Sequence, residues 1–373
     1  MNAKILVIIC IAVLCTILTL GIWPFHSPKN DVTWLGNRDG LRFGRYSTAI
    51  GSSAFKTTSE QKEAPGSLEI WLRPGRIWDS GTCLAFGFPQ NSLPFLLRQS
   101  QTDLRLQAEI PGDQRHAREV NLYAKNVFRK AAPVFVTITS GMKGTVVYAD
   151  GVLVKTAPRF RFSSKQLTGP LVLGDSPGQG DSWSGQLLGL AIYHRELTTP
   201  QVLRHYRTWV QMGRPETGED DRNVALYLLD EGSGNVIHDS ARSGVDLFIP
   251  ERYVVLDQIF LEPLWKEFNM SRSFWEAVLK NIVGFIPFGF FFYAYLSTVL
   301  RGRRAAYATV ILGTAVSLII EILQAYLPTR DSGTTDLITN TLGTWIGVAS
   351  YHVAAPILNR AFPWLPLVIQ PSE

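Results

Sequence analysis

The chain is 373 residues long, 46% hydrophobic and 18% charged, with a formal net charge of +5. That length admits two domains, and the apolar share exceeds that of an ordinary soluble protein. No helix-turn-helix, RNP or zinc-ligand pattern accompanies the basic excess, so it is assigned to topology and surface charge, and a nucleic-acid partner is excluded.

The first element is an uncharged run at residues 5–23, "ILVIICIAVLCTILTLGIW", long enough for a helix to cross a hydrocarbon core. The run exceeds a usual signal-peptide core, and no A-x-A-like cleavage pattern follows in "WPFHSPKN". Residues 1–25 are therefore read as an uncleaved N-terminal transmembrane helix. Residues 30–252 are polar and rich in Gly, Pro and short strand-like runs: "SLEIWLRPG" (67–75), "LRLQAEI" (104–110), "VFVTITSG" (134–141), "GTVVYADGVLV" (144–154) and "PLVLGD" (170–175). Strands at this spacing predict an all-β two-sheet sandwich. The Asp-Gly pair in "YADGV" permits positive φ and predicts a hairpin. Cys83 is the one cysteine in this part, so no disulfide can form within it.

"SLEIWLRPG", "VFVTITSGMKGTVVYADGVLV" and "LVLGDSPGQGDSWSGQLLGLAIYHRELTTPQVLRHY" resemble the laminin-G-like or concanavalin-A-like sandwich, with its W-x-G-x-L-x-G-L-x-I-Y strand before a short helix. "LYLLDEGSGNVIHDSARSG" (226–244) matches a segment that usually opens such domains, yet here it follows the closing helix. Either the order is permuted or this strand completes the sandwich from its far end. The resemblance implies glycan binding, protein binding or β-glucan hydrolysis. Hydrolysis needs two carboxylates flanking the glycosidic bond, and the family's E-x-D-x-x-E strand is absent, Glu69 having no acidic residue two positions on. For binding, Asp175, Asp181 and Trp183 form the candidate cluster: two acids in Gly-rich loops for calcium, and an indole to stack on a sugar. The alternative is that Trp183 packs in the core and both acids serve turns.

Residues 253–280 mix aromatic and charged groups and are read as an interfacial linker. Three further apolar runs follow, 282–300, 305–327 and 337–358, making four predicted spans, with 361–373 as a cytoplasmic tail. "RGRR" (301–304) marks its loop as cytoplasmic, which puts both termini inside and the sandwich outside.

"NIVGFIPFGFFFYAYL" (281–296) and "SLIIEILQAYLPTRDSGTTDLITNTLGTWIG" (317–347) resemble the VanZ-like family, through residues 281–360, and the resemblance implies that the first span supplies the family's first helix, with the sandwich inserted after it. The resemblance implies a cell-envelope membrane protein with a link to glycopeptide antibiotic resistance and no defined chemistry. Read from the residues, Asn281, Glu321, Gln324, Arg330, Asp336 and Asn340 fall near the outer face as a polar pocket, with Glu321 and Arg330 the expected ion pair. An ionisable group within a span costs about 2.5–3.5 kcal/mol at the centre and needs such partners. Gly284, Gly289, Gly343 and Gly347 are expected to let helices pack closely, and Pro287 to kink the second span. The leading expectation is a non-enzymatic envelope protein whose sandwich binds a polysaccharide or surface protein and whose bundle contacts membrane lipid. The alternative is an enzyme acting on a lipid-linked molecule through Glu321 and Asp336. No cofactor is expected beyond calcium.

Overall fold

The computed structural model describes residues 3–56, 64–87, 95–110, 118–177, 181–215, 223–241, 244–258, 260–268, 272–301 and 303–361. The tail from 362 onward, and the Gly178–Gly180 stretch between the two candidate calcium ligands, lie outside them. Two compact units form: residues 28–257, and residues 1–27 together with 258–373.

The first unit is a sandwich of two eight-stranded sheets. One sheet runs β1 (Val32–Trp34), β2 (Leu41–Phe43), β13 (Gly185–Tyr193), β4 (Gly66–Pro74), β9 (Val134–Gly141), β10 (Gly144–Ala149), β11 (Val152–Ala157), with β14 (Asn223–Tyr227) also on β13. The other runs β15 (Val236–Ile237), β16 (Leu247–Phe248), β3 (Ala49–Gly51), β12 (Leu171–Leu173), β5 (Ser80–Phe86), β6 (Phe95–Ser100), β7 (Asp103–Ile110), β8 (Arg118–Ala124). The segment left open above completes the sandwich: β2 pairs with residues 185–187 of β13 and β14 with 190–193, while β15 and β16 extend the other sheet. Side chains alternate across each strand. In β4, Leu68, Ile70 and Leu72 point into the inter-sheet core with Leu84, Phe86, Leu97, Leu106, Val136 and Ile138.

The opposite face of β4 carries Ser67, Glu69, Trp71 and Arg73. Helix α2 (Thr199–Met212) covers Glu69 and Trp71, and the segment leading into it covers Ser67. Its start is fixed by Gln201, whose Oε1 accepts from the Thr198 amide at 2.9 Å, and its end by Gly213 at φ 70°. Val202, His205 and Trp209, spaced three and four apart, face the sheet, and Trp209 packs so close over Gly189 that a Cβ there would meet its ring at 2.1 Å. Asp150 and Gly151, at φ 52° and 73°, form the β10–β11 hairpin turn.

The second unit holds α1 (Ala3–Ile22), α3 (Leu264–Glu267), α4 (Arg272–Leu296), α5 (Arg303–Gln324) and α6 (Thr334–Ala361). Among the described residues, three helices are long and apolar enough to cross a membrane, at Lys4–Ile22, Phe274–Leu296 and Arg303–Gln324. The fourth expected span, α6, is long enough, but Asp336, Asn340, His352 and its threonines dilute its apolar character, so the count on composition is three. A Cβ on Gly289 would meet the Thr344 carbonyl at 2.0 Å, on Gly343 the Ile282 carbonyl at 2.3 Å, and on Gly347 the Ile286 carbonyl at 2.2 Å. These three glycines let α4 and α6 touch backbone to backbone. Gly284 differs from expectation, since a Cβ there meets nothing within 4 Å: it lies off the contact face. Pro287 sits inside an unbroken α4, where its missing amide proton leaves the carbonyl one turn earlier without its helical donor.

Candidate functional site

The polar residues of the helical unit collect where α1 ends, α5 ends and α6 begins. A helix leaves its first amides and last carbonyls unpaired, positive at the start and negative at the end. The chain supplies a partner to each. Glu321, 1% exposed, accepts from the Gly333 amide at 2.9 Å and from the Ser332 hydroxyl. Glu267 accepts from the Thr335 amide at 2.9 Å and from the Thr335 hydroxyl. Two carboxylates from distant segments therefore cap the N-terminus of α6, and Asp336 adds a third acid in its first turn, held by the Asn281 amide at 2.7 Å. At the C-terminal end of α1, Gln324 donates to the Gly21 carbonyl at 2.8 Å, and the Arg330 guanidinium donates to the Trp23 carbonyl through Nε at 3.0 Å and through Nη2.

The expected Glu321–Arg330 ion pair is absent among the described residues. Each charge has found the helix end of opposite sign: the carboxylate the Gly333 amide at the start of α6, the guanidinium the Trp23 carbonyl just past the end of α1. Asn340 lies one turn deeper, donating to Ser317 Oγ at 2.9 Å. Its Oδ1 and Gln324 Oε1 are buried with no partner among the described residues. Reading the sequence missed Glu267, Ser332, Thr335 and Ser317. An acid four residues past a proline in an aromatic stretch was the available signal for Glu267, and nothing local distinguished the hydroxyls.

The sandwich candidates have a different fate. Asp175 is 1% exposed; its Oδ1 accepts from the Ser176 amide at 2.7 Å, and its Oδ2 from Ser182 Oγ at 2.8 Å and from the Tyr253 hydroxyl. Burial, only partly offset by these hydrogen bonds, pushes its carboxyl up to about 6. Asp181 accepts from Arg98 Nη2 and Thr82 Oγ1, both at 2.6 Å. Trp183 is 1% exposed and donates to Gln99 Oε1 at 2.8 Å. The carboxylate oxygens are thus turned to internal donors and the indole is core, which corrects the calcium and sugar-stacking assignment of all three: they join β5, β6 and β13 at one end of the sandwich. Among the described residues no group of three His, Cys, Asp or Glu converges as for a metal ion.

Glu69, which offered no second acid along its strand, has a histidine instead. His205 Nδ1 of α2 lies 3.1 Å from both of its carboxylate oxygens, Tyr193 donates to it at 2.7 Å, and Glu69 and His205 are both fully buried. No substrate reaches such a pair; it fastens α2 to the sheet.

Known proteins resemble the two units separately. The model described as concanavalin A-like lectin/glucanases superfamily matches residues 48–203, and that of VanZ/LLP1 matches residues 235–355, beginning within the last strands of the sandwich. No curated protein matches the chain. Among solved structures, the Ruminococcus gnavus IT-sialidase CBM40 is 15% identical over 44% of this chain and 95% of its own, at a TM-score of 0.34. A putative carbohydrate binding protein from Bacteroides ovatus is 14% identical over 57% of each chain, at 0.36, and the receptor binding domain of botulinum neurotoxin D is 13% identical over 48% of this chain and 46% of its own, at 0.34. The chain carries a concanavalin A-like domain and a VanZ/LLP1 domain.

Proposed function

We propose that the chain is a four-span membrane protein that displays a glycan-binding sandwich outside the cell, the helical unit serving as its anchor. The observation that carries the membrane reading is the inverted polarity of α5 and α6. In α6 the buried positions include Thr335, Thr339, Asn340, Gly343, Thr344 and Gly347, while Ile338, Leu342, Trp345, Val353 and Ile357 are exposed. In α5, Thr309, Ser317, Glu321 and Gln324 are buried, and Ile311, Ile319, Ile322 and Leu323 are exposed. A helix in water does the reverse; a helix in lipid turns polar groups toward its neighbours. Hence α6 counts as a span although its composition alone is too polar.

The basic residues Arg301, Arg303 and Arg304 sit at the opposite end of α5 from the capped cluster, which by the positive-inside bias faces outward. The chain leaves α1 for the sandwich at that outward end. The cluster is read as a lock on the bundle and not as a catalytic centre, because Glu321 and Asp336 spend an oxygen each on holding α6. Glycan recognition rests on the concanavalin A-like lectin match. Full-length protein in lipid nanodiscs, applied to a glycan array, tests it: selective binding to a set of glycans is expected, and a blank array refutes it.

A further inference from the structure

Helix α2 covers only one end of the outer face of its sheet, and the other end is open. There the strand register lines up four side chains: Thr33 of β1 stands opposite Arg42 of β2, Arg42 opposite Gln186 of β13, and Gln186 opposite Arg73 of β4. Directly paired residues share a face, so the two arginines flank one amide about 10 Å apart, two strand spacings. Arg38, from the β1–β2 turn, donates to Gln186 Oε1 and brings a third guanidinium over the row. The three line a groove of about 610 Å³ with Trp34, whose indole N–H is spent on the Gly234 carbonyl at 2.8 Å, leaving a ring in the wall of the groove. That volume falls within the range of small-ligand sites, about 300–1,000 Å³.

Among the described residues, none of Arg38, Arg42 and Arg73 forms an ion pair. Arg73 Nε instead donates to the Ala131 carbonyl at 2.8 Å, fixing the guanidinium and holding the exposed Arg129 and Lys130 nearby in sequence. Contrast Arg98 in the same sandwich, neutralised by Asp181. Three guanidinium groups around one amide repel each other, two of them held in place by Gln186 and the Ala131 carbonyl, and a bound anion relieves that repulsion. Guanidinium groups bind carboxylate, phosphate or sulfate through paired N–H donors, Thr33 and Gln186 supply hydrogen bonds of the kind that hydroxyls need, and an indole flanks a sugar ring.

We propose that this groove binds an acidic glycan, a polysaccharide whose sugar units carry anionic groups. The inference rests on the reading of the sandwich as glycan-binding and narrows it to one ligand class at one place.

The test uses full-length protein in nanodiscs of uncharged lipid, with immobilised polygalacturonate as the acidic glycan, a neutral glucan of similar length, and anionic phosphatidylglycerol vesicles. Arg42→Gln/Arg73→Gln is compared with Lys155→Gln/Arg159→Gln, which removes the same charge from exposed positions of the same domain, and thermal melts verify that each variant folds. The expected result is binding to polygalacturonate that weakens at least tenfold in the groove variant, about the effect of losing charge-assisted contacts, and less than twofold in the control. Equal losses in both variants mean non-specific charge attraction and overturn the proposal. Binding to the neutral glucan alone, or binding that survives the groove variant, overturns the proposal while leaving the glycan-binding reading intact. Vesicle binding through the groove with no glycan binding assigns it to lipid and overturns the proposal, and no glycan binding of any kind sinks both readings.

Discussion

Replacing His205 with leucine puts the attachment of α2 to a direct test. Glu69 and His205 are both 0% exposed, with His205 Nδ1 at 3.1 Å from each carboxylate oxygen. Without the ring, the buried carboxylate keeps the Tyr193 hydroxyl at 2.7 Å and a long 3.4 Å approach from Thr137. Removing the ring leaves a buried carboxyl group short of a hydrogen-bond partner, which costs about 1–3 kcal/mol. For a unit spanning Pro28–Asp257, each kcal/mol lowers the melting temperature by about 2–4 °C, so the expected fall is about 2–12 °C. Replacing both members with apolar residues of similar volume, Glu69→Met/His205→Leu, removes the unpartnered carboxyl group and recovers at least half of the loss. Trp71 and Trp209, whose rings pack 6.5 Å apart beside the pair, make tryptophan fluorescence of the full-length protein in detergent the appropriate readout. A fall under about 1 °C for His205→Leu, or a double variant that loses the sum of the singles, refutes the account.

Other outcomes follow from the same geometry. The Asp175 carboxyl, raised from 3.8 to about 6, binds its proton more tightly folded than unfolded. Stability of the sandwich therefore falls as pH rises from about 4 to 6, by up to about 3 kcal/mol, and Asp175→Asn flattens that slope in thermal melts across the window. Gly343→Val drives side-chain atoms into the Ile282 carbonyl and abolishes monodisperse protein in size-exclusion chromatography, while Gly284→Ala, facing open space, leaves the yield unchanged. Glu321→Leu leaves the buried Gly333 amide without an acceptor and costs about 1–3 kcal/mol, whereas Glu321→Gln keeps an oxygen there and costs less than half of that; detergent melts of the two variants separate the cases.

What could be read from the sequence was what local pattern encodes. The Asp150–Gly151 turn, the alternation in "SLEIWLRPG" and the helix after Tyr193 each announce themselves within ten residues. The three-residue strands β1, β2 and β3 are too short to show a period, and β5 is buried on both faces, so it does not alternate. In the helical unit the residue types pointed to a polar cluster, but its pairing depended on backbone groups. The partners of Gln324 and Arg330 are carbonyls about 300 positions away, and those of Glu321 and Glu267 include the first amides of α6. Helix-end electrostatics outweighed the side-chain ion pair that sequence proximity suggested. Trp183, Asp175 and Asp181 misled because a buried indole and internally bonded acids carry the same letters as a sugar platform and a calcium site.

The proposed glycan binding outside the cell requires the sandwich and the capped end of the bundle to face outward. Single cysteines at Asp331, Lys155 and Arg303 in an otherwise cysteine-free background, probed in intact cells with a membrane-impermeant maleimide, measure it. Labelling at 331 and 155 without permeabilisation, and at 303 only after it, is the expected pattern. Labelling of 303 in intact cells, or protection of 331 or 155 until the membrane is opened, contradicts the account.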